Sequence, residues 1–221
     1  MLMCGRASQA EIKAYKDLVF KWLHPESFVP RRNLRPTEPA WIVARRPDGE
    51  IRTIEAKWWC QRDGAQEFET KYAAFNARAE TLKDRPHWSG LLSKGKRCIF
   101  PIDSFYEWPV KGKGQPPVEI FVKGKDPFAL AGLWSTWFDR GERKYSFAVF
   151  TCEPNEFMKP IHPKAMPVIL NGVDEQKLWL MEGDTDLLRP YDGEMELENL
   201  PDTLEHLYPE ENQNTKRRMR S

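Results

Sequence analysis

The most reactive arrangement in the chain lies at its start, where Cys4 follows Met3. A cysteine freed there would carry an amine and a thiol on adjacent carbons, with ordinary pKa values of about 8 and about 8.5. The amine can form an imine with an aldehyde, and the thiol can then close a thiazolidine ring. This chemistry requires translation from Met3 or removal of the first three residues, since Leu2 does not favour removal of Met1. The alternative is an unreactive cysteine near a frayed terminus.

A second polar group lies in the segment Phe75 to Thr81, where Asn76 and Arg78 are two residues apart. On an extended backbone their side chains face the same way, and a guanidinium beside a neutral amide suits a phosphate and a sugar oxygen. The same residues also fit the start of a helix, with Asn76 as its N-cap. The sequence leaves the two interpretations open.

Glu107 lies between Tyr106 and Trp108 at the end of an apolar run. Aromatic surroundings disfavour the charged form of a carboxyl group, so we expect a raised pKa and proton transfer near neutrality. Trp108 offers a flat face for stacking on a nucleobase. The alternative is an exposed strand end with a packed tryptophan.

His162 stands between Ile161 and Pro163, in a proline-rich loop ahead of the run 168–170. Histidine is the side chain that exchanges its proton most readily at physiological pH. A lone histidine is more often structural, and His162 is singled out because its loop is constrained.

The elements that must position these residues follow from hydrophobic periodicity and turn signals. Ser8 and Glu11 form a capping-box pattern, which predicts a helix over about 9–23. Four prolines predict an extended loop over 24–39, and Pro47-Asp48-Gly49 predicts a hairpin of strands 40–46 and 51–59. Further predicted strands are 97–102, 118–122, 128–134 and 145–151, and predicted helices lie near 78–84, 86–93 and 174–181. We therefore predict an α+β fold: one domain over 1–211 with a mostly antiparallel, barrel-like core and flanking helices.

Composition limits the function classes. The 221 residues contain no apolar run long enough for a membrane span, and residues 1–6 do not form a signal peptide, so we expect a cytoplasmic protein. The four cysteines lie far apart, which indicates neither a metal site nor a disulfide framework and predicts no cofactor. Cys60, Cys98 and Cys152 are expected in the core.

The net charge of +1 is unevenly distributed. Residues 181–211 hold eleven acidic residues and only Arg189, whereas 212–221 form a basic tail that we expect to be disordered. The remaining body carries a positive surplus, which permits binding to nucleic acid without establishing it.

Five motifs occur together, in an order that resembles the SOS-response-associated peptidase (SRAP) family. They are Cys4-Gly5-Arg6, Asn33-Leu34-Arg35-Pro36, Asn76-Ala77-Arg78 with Glu80 and Thr81, Phe105-Tyr106-Glu107-Trp108, and Ile161-His162 followed by 166–170. The resemblance spans about residues 4–170. It implies a protein that binds abasic sites in single-stranded DNA and forms a thiazolidine crosslink through its N-terminal cysteine, shielding the site during the DNA damage response. We also expect a monomer.

The resemblance also implies a role for each matching residue. Cys4 would be the nucleophile, Asn76 would hold the sugar, Glu107 would move protons and His162 would assist at the sugar and in crosslink reversal. Arg6 and Arg78 would bind phosphates, Asn33 belongs to the same DNA-binding set, and Pro36 and Trp108 would stack on flanking bases. When bound to DNA the protein would be associated with the nucleoid.

Two departures from the family pattern matter. Four residues rather than three separate His162 from Pro167, with Lys164 where an arginine is frequent. Trp58-Trp59 begins a family segment whose proline and final tryptophan are missing from residues 60–64, so that a DNA contact would be absent or supplied by Phe68 or Tyr72.

Two other functions remain open. One is a cysteine peptidase, autoproteolytic at its own N-terminus, with Cys4 as nucleophile and His162 as base. The other is a non-catalytic single-stranded DNA-binding module. The crosslinking hypothesis also allows a lyase activity.

Overall fold

The computed structural model describes residues 5–9, 29–69, 74–109, 116–124 and 127–200. Its strands are β1 (Ala7–Gln9), β2 (Arg31–Leu34), β3 (Pro39–Arg45), β4 (Ile51–Trp58), β5 (Asn76–Arg78), β6 (Arg97–Ile102), β7 (Ser104–Glu107), β8 (Val118–Val122), β9 (Phe128–Asp139), β10 (Glu142–Cys152), β11 (Met166–Pro167), β12 (Ile169–Leu170) and β13 (Met195–Asn199). Its α-helices are α1 (Pro86–Ser93) and α2 (Gly172–Met181), with short 3-10 turns at Ala79–Thr81 and Thr185–Leu187.

Five strands close into a barrel in the order β3, β4, β10, β9 and β6, with β6 pairing β3 to complete the ring. Only the β4–β10 pairing in this ring is parallel. Large aromatic residues fill the interior: the Trp58 ring lies 5.3 Å from Phe100 and 6.2 Å from Phe147. The predicted α+β fold with a mostly antiparallel, barrel-like core is confirmed.

Gly132 permits a close approach of β9 to β10. A Cβ at this position would lie 2.7 Å from the Ala148 carbonyl oxygen and 3.0 Å from the Cys98 sulfur. Glycine within a strand commonly marks such a close backbone approach.

A second sheet, in the order β13, β8, β7, β1 and β2, lies beside the barrel. Its central strands carry the chain start and the Glu107 motif, because Ala7 pairs with Phe105 on one side and with Leu34 on the other. Helix α2 packs on the barrel, where the Trp179 indole donates a hydrogen bond to the Cys98 carbonyl oxygen (2.9 Å). Within the described residues, no helix has the length and apolar character needed to span a membrane.

The local predictions had mixed outcomes. The hairpin, the strands at 97–102 and 118–122 and the helix at 86–93 are confirmed, whereas β9 and β10 extend beyond their predicted bounds. The helix predicted at 78–84 is wrong, since only a 3-10 turn forms there. The loop predicted at 24–39 is wrong over Arg31–Leu34, which pairs with β1.

The predicted helix over 9–23 lies outside the described residues except at Gln9, which is in β1. Ser8 also belongs to that strand, and its hydroxyl donates to the Asp103 carboxylate (3.3 Å). The capping-box prediction is therefore wrong for Ser8. The basic tail at 212–221 lies outside the described residues. The acidic segment is described as far as residue 200, and its strand β13 pairs with β8.

Candidate nucleic-acid interface

Gly5 and Arg6 lie close to the Asn76 segment of the barrel and to the Glu107 strand of the second sheet. A Cβ built on Gly5 would lie 3.7 Å from Pro36 Cγ and 3.8 Å from the Phe75 ring, so both side chains flank this residue. The Arg6 carbonyl oxygen accepts a hydrogen bond from the Tyr106 amide (3.0 Å). The predicted nucleophile, Cys4, lies outside the described residues.

The turn that carries Pro36 is held by an acidic side chain. Glu38 accepts hydrogen bonds from the Arg35 amide and guanidinium and from the Arg31 guanidinium (2.9–3.1 Å). Asn33 precedes the turn, is buried and has a φ of 62°, a left-handed conformation that asparagine tolerates better than most residues. This geometry fixes the proline ring beside Gly5.

Asn76 and Arg78 lie on β5, which pairs in parallel with Val149 to Thr151 of β10. Ala77 is fully buried, while its neighbours face the other side and Arg78 is exposed. The extended alternative for this segment is therefore confirmed, and the helix N-cap at Asn76 is wrong. The Phe75 carbonyl, at the start of this segment, accepts hydrogen bonds from the Trp58 indole and the Val149 amide (both 3.1 Å).

Glu107 is the last residue of β7 and is only 3% exposed. Its strand neighbour across the ladder is Val118 of β8. Trp108 follows, partly exposed, and the Arg6 guanidinium lies 5.8 Å from the centroid of its ring, within the range of a cation–π contact. A buried carboxyl group, an arginine and an aromatic face thus meet at the end of β7.

His162 is 1% exposed and closes a compact turn, where its amide donates to the Met158 carbonyl oxygen (2.7 Å). Asn155 organises this turn, because its side-chain oxygen accepts from the Met158 amide and its amide group donates to the Tyr191 carbonyl. Burial lowers the pKa of His162 and outweighs the backbone carbonyls of His162 and Ala165, which favour protonation. The imidazole is therefore biased toward its neutral form.

Strand β10 brings the His162 loop and the Asn76 segment to the same end of the barrel. Arg78 of β5 and Pro167 of β11 are both register partners of Thr151, on opposite sides of β10. The structure thus joins Gly5 and Arg6 with Pro36, Asn76 and the Glu107-Trp108 pair through direct contacts and chain adjacency. His162 is related to them through strand register.

Three sequence predictions at other positions have different outcomes. Cys60, Cys98 and Cys152 are buried free thiols, as predicted, and burial raises the pKa of Cys60 and of Cys152 to about 12. Phe68 packs against Trp137 (5.2 Å between centroids) beneath the Lys57 ammonium, and Tyr72 lies outside the described residues. Phe68 therefore has partners within the protein.

Sequence reasoning missed Phe75 and Glu38 as residues that shape the site. Phe75 could have been noticed as the aromatic neighbour of Asn76. Glu38 gave no local signal, because its importance comes from two arginines that the turn brings to it.

Comparison with known proteins gives a consistent result. Residues 3–205 match the family model described as SOS response associated peptidase (SRAP). The chain is 35% identical over 206 residues to the abasic site processing protein YoaM of Bacillus subtilis, covering 87% of this chain and 88% of that protein. It is 26% identical to the abasic site processing protein HMCES of Gallus gallus, covering 80% of this chain and 65% of that protein.

Solved structures also resemble the fold. A crystal structure of a Bordetella bronchiseptica protein has a TM-score of 0.74 at 22% identity, covering 90% of this chain and all of that one. A Bacteroides thetaiotaomicron protein has a TM-score of 0.65 at 24% identity, covering 77% and 78% of the two chains.

Proposed function

Because this chain belongs to the SOS response associated peptidase family, we propose that it captures abasic sites in single-stranded DNA as a covalent crosslink to Cys4. Two relatives named as abasic site processing proteins support the substrate class. The observation that carries the proposal is the place of Gly5 and Arg6. They lie against Pro36 and Phe75 and beside the strand that ends in Glu107.

The proposed reaction begins with the α-amine of Cys4, once residues 1–3 are absent. The amine attacks the C1′ aldehyde of the ring-opened sugar, the resulting carbinolamine loses water, and an imine remains. The thiol then adds to the imine carbon and its proton passes to the nitrogen, which closes the thiazolidine. One water is released overall, and no oxidant or reductant is required.

Two buried groups, Glu107 and His162, would carry out the proton transfers. Glu107 would deliver the proton that lets the carbinolamine oxygen leave as water, and would accept a proton during ring opening. The neutral imidazole of His162 can accept a proton at the sugar or return it in crosslink reversal. Asn76 would hold the sugar through its amide, which carries both a donor and an acceptor.

Residues on the surface around this site would bind the DNA backbone and bases. Arg78 is exposed and Arg6 partly exposed, so both are accessible to phosphate oxygens. Trp108 and Pro36 present apolar faces against which flanking bases can stack. A monomer suffices for every contact in this scheme.

The test uses protein whose N-terminus is Cys4, mixed with an oligonucleotide that carries one natural abasic site. We expect a species that survives a denaturing gel and whose intact mass equals the two components less one water. Protein that retains residues 1–3, Cys4→Ala protein, and an oligonucleotide with a tetrahydrofuran in place of the aldehyde are the controls. Absence of a stable adduct from the Cys4-terminated protein would refute the proposal.

The same measurement addresses how residues 1–3 leave. We propose that the chain removes them itself. With His162 as base, the Cys4 sulfur attacks the Met3 carbonyl carbon, the peptide bond to the Cys4 nitrogen breaks, and the proton passes to that nitrogen. Water then hydrolyses the thioester, which releases the tripeptide and leaves Cys4 with a free amine and thiol. Purified full-length protein should then lose the tripeptide mass over time, and His162→Ala should retain it. Retention by both proteins would leave the crosslinking proposal intact and would assign the removal to another enzyme or to a translation start at Met3.

A further inference from the structure

A pocket of about 450 Å³ opens beside Asn76, and apart from Asn76 its lining residues have no part in the proposed crosslinking reaction. It is lined by the segment 60–62, by Glu69, Ala74 and Asn76, and by the residues 85–88 at the start of α1. Its volume lies in the range of small-molecule sites in proteins. Asn76 belongs both to this pocket and to the proposed sugar site, so a ligand here would be a near neighbour of the abasic sugar.

The walls of the pocket are held by hydrogen bonds. The Gln61 amide group donates to the Glu69 carbonyl oxygen (2.8 Å), and its side-chain oxygen accepts from the Glu69 amide (3.1 Å). The Cys60 amide donates to the Ala74 carbonyl oxygen (3.0 Å). The pocket is therefore formed before any ligand binds, which reduces the entropic cost of binding.

The lining combines flat rings with cations. The His87 and Trp88 rings are in contact, with centroids 4.3 Å apart. Arg62 extends into solvent with 73% of its side chain exposed and pairs with Glu69 at 3.3 Å. Arg85, also exposed, precedes Trp88 by one helical turn. Burial lowers the pKa of His87, which favours an uncharged ring beside the indole. Aromatic faces bordered by arginines are typical of sites that stack a nucleobase and bind its phosphate.

We propose that this pocket receives the nucleobase next to the abasic nucleotide, stacked on Trp88, with the adjoining phosphate bound by Arg62 and Arg85. The inference rests on the proposed function, since it assumes that the abasic sugar lies at Asn76. It assigns a DNA contact to the segment 60–62, where the sequence suggested that one was missing.

The test measures binding separately from chemistry. A labelled oligonucleotide with one tetrahydrofuran abasic analogue cannot crosslink, and its Kd is obtained by fluorescence anisotropy. We expect Trp88→Ala to raise the Kd about 10-fold, the size expected for loss of one base stack, and Trp88→Phe to stay close to the wild type. Arg62→Ala should also raise the Kd, whereas Arg46→Ala, at a partly exposed arginine outside this pocket, is the control.

Two further oligonucleotides identify the base. Each lacks the nucleobase on one side of the tetrahydrofuran, 5′ or 3′, while its phosphates remain. For one of them, Trp88→Ala and wild-type protein should bind equally, because the stacking partner is already absent. If Trp88→Ala weakens both to the same extent as the parent oligonucleotide, or weakens none, the pocket proposal is wrong.

Crosslinking to a natural abasic site, measured with the same proteins, separates the two proposals. A wild-type crosslink without a base-dependent Trp88 effect overturns only the pocket. A base-dependent Trp88 effect without any crosslink overturns the crosslinking reaction and retains the pocket as part of a binding module.

Discussion

Two regions of the molecule hold charged and titratable groups in opposite ways. In the Asp63 cluster, formed by Asp63, Lys94, Lys96 and Thr136, one carboxylate oxygen accepts a hydrogen bond from Lys94 and the other accepts hydrogen bonds from Lys96 and Thr136. Burial disfavours the ionised carboxylate, yet bonds from Lys96 and Thr136 hold the pKa of Asp63 well below its usual range. At the proposed reaction site, His162 is buried, its pKa is lowered by burial, and its Nδ1 forms no hydrogen bond in the described part of the structure.

The difference indicates what each region is for. Charges that neutralise one another in place stabilise the fold and are unavailable to a substrate. A neutral imidazole with a buried, unbonded nitrogen costs stability, and such costs are commonly found at functional sites. Substitutions in the Asp63 cluster should therefore lower the free energy of unfolding, whereas substitutions of Glu107 and His162 should slow the reaction.

The largest expected effect is on rate. Glu107→Gln removes the transferable proton while keeping the shape of the side chain, so the initial rate of crosslink formation should fall about 100-fold. Gel quantification of the adduct over time measures it. Glu119→Gln is the matched control, because Glu119 is also buried on this sheet and accepts a hydrogen bond from Ser104. Equal slowing by the two variants would contradict a specific role for Glu107.

The next effect is on stability. Asp63→Ala leaves Lys96, whose side chain is 9% exposed, without its counter-charge. The free energy of unfolding should fall by about 2 kcal/mol, less than for a fully buried pair because Asp63 keeps partial exposure. Urea denaturation measures the change, and the crosslinking rate per folded molecule should be unaffected. Lys94→Ala, which removes an exposed partner, should cost about 0.5 kcal/mol, and a comparable loss from both variants would refute this account.

A third effect concerns binding at the edge of the reaction site. Trp108→Ala removes the ring that lies near Arg6, and the Kd for a tetrahydrofuran-containing oligonucleotide should rise about 10-fold. Trp108→Phe keeps an aromatic face and should recover most of the affinity. Unchanged affinity in the alanine variant would show that this ring does not contact DNA.

Sequence patterns predicted those elements whose causes are local. The apolar runs of β6 and β8 and the proline at the first position of α1 gave the observed bounds. Strand β13 also carried a readable signal, since Met195 and Leu197 alternate with glutamates, but the acidic composition of the region obscured it.

Distant partners explain what could not be predicted. Ser8 resembles a helix cap, but its hydroxyl bonds Asp103, and β5 is extended because it pairs with the edge of β10. The candidate site residues were predictable by type and motif. The pocket beside Asn76 was not, because it combines three segments whose proximity depends on the closed barrel.

The smallest expected effect is on the pH dependence of stability. The pKa of His162 is lower in the folded protein than the ordinary value of about 6.5, so the unfolded chain binds the proton more readily. The contribution of His162 to stability is therefore complete above about pH 6.5 and falls as the solution is acidified toward the folded pKa. Asp63 adds no slope between pH 5 and 7, because its pKa is depressed and its contribution is lost only in stronger acid.

His162→Gln should therefore make the free energy of unfolding less dependent on pH between 7 and 5, as measured by urea denaturation at several pH values. A residual slope should remain, because burial also lowers the pKa of His87, and His87→Gln should remove part of it. Asp63→Ala should not flatten the slope in this window, and it can steepen the part due to His87, because Asp63 raises the pKa of that imidazole. If instead His162→Gln keeps the wild-type slope, His162 is not held neutral by burial, and the contrast between the two regions fails at the residue on which it depends most.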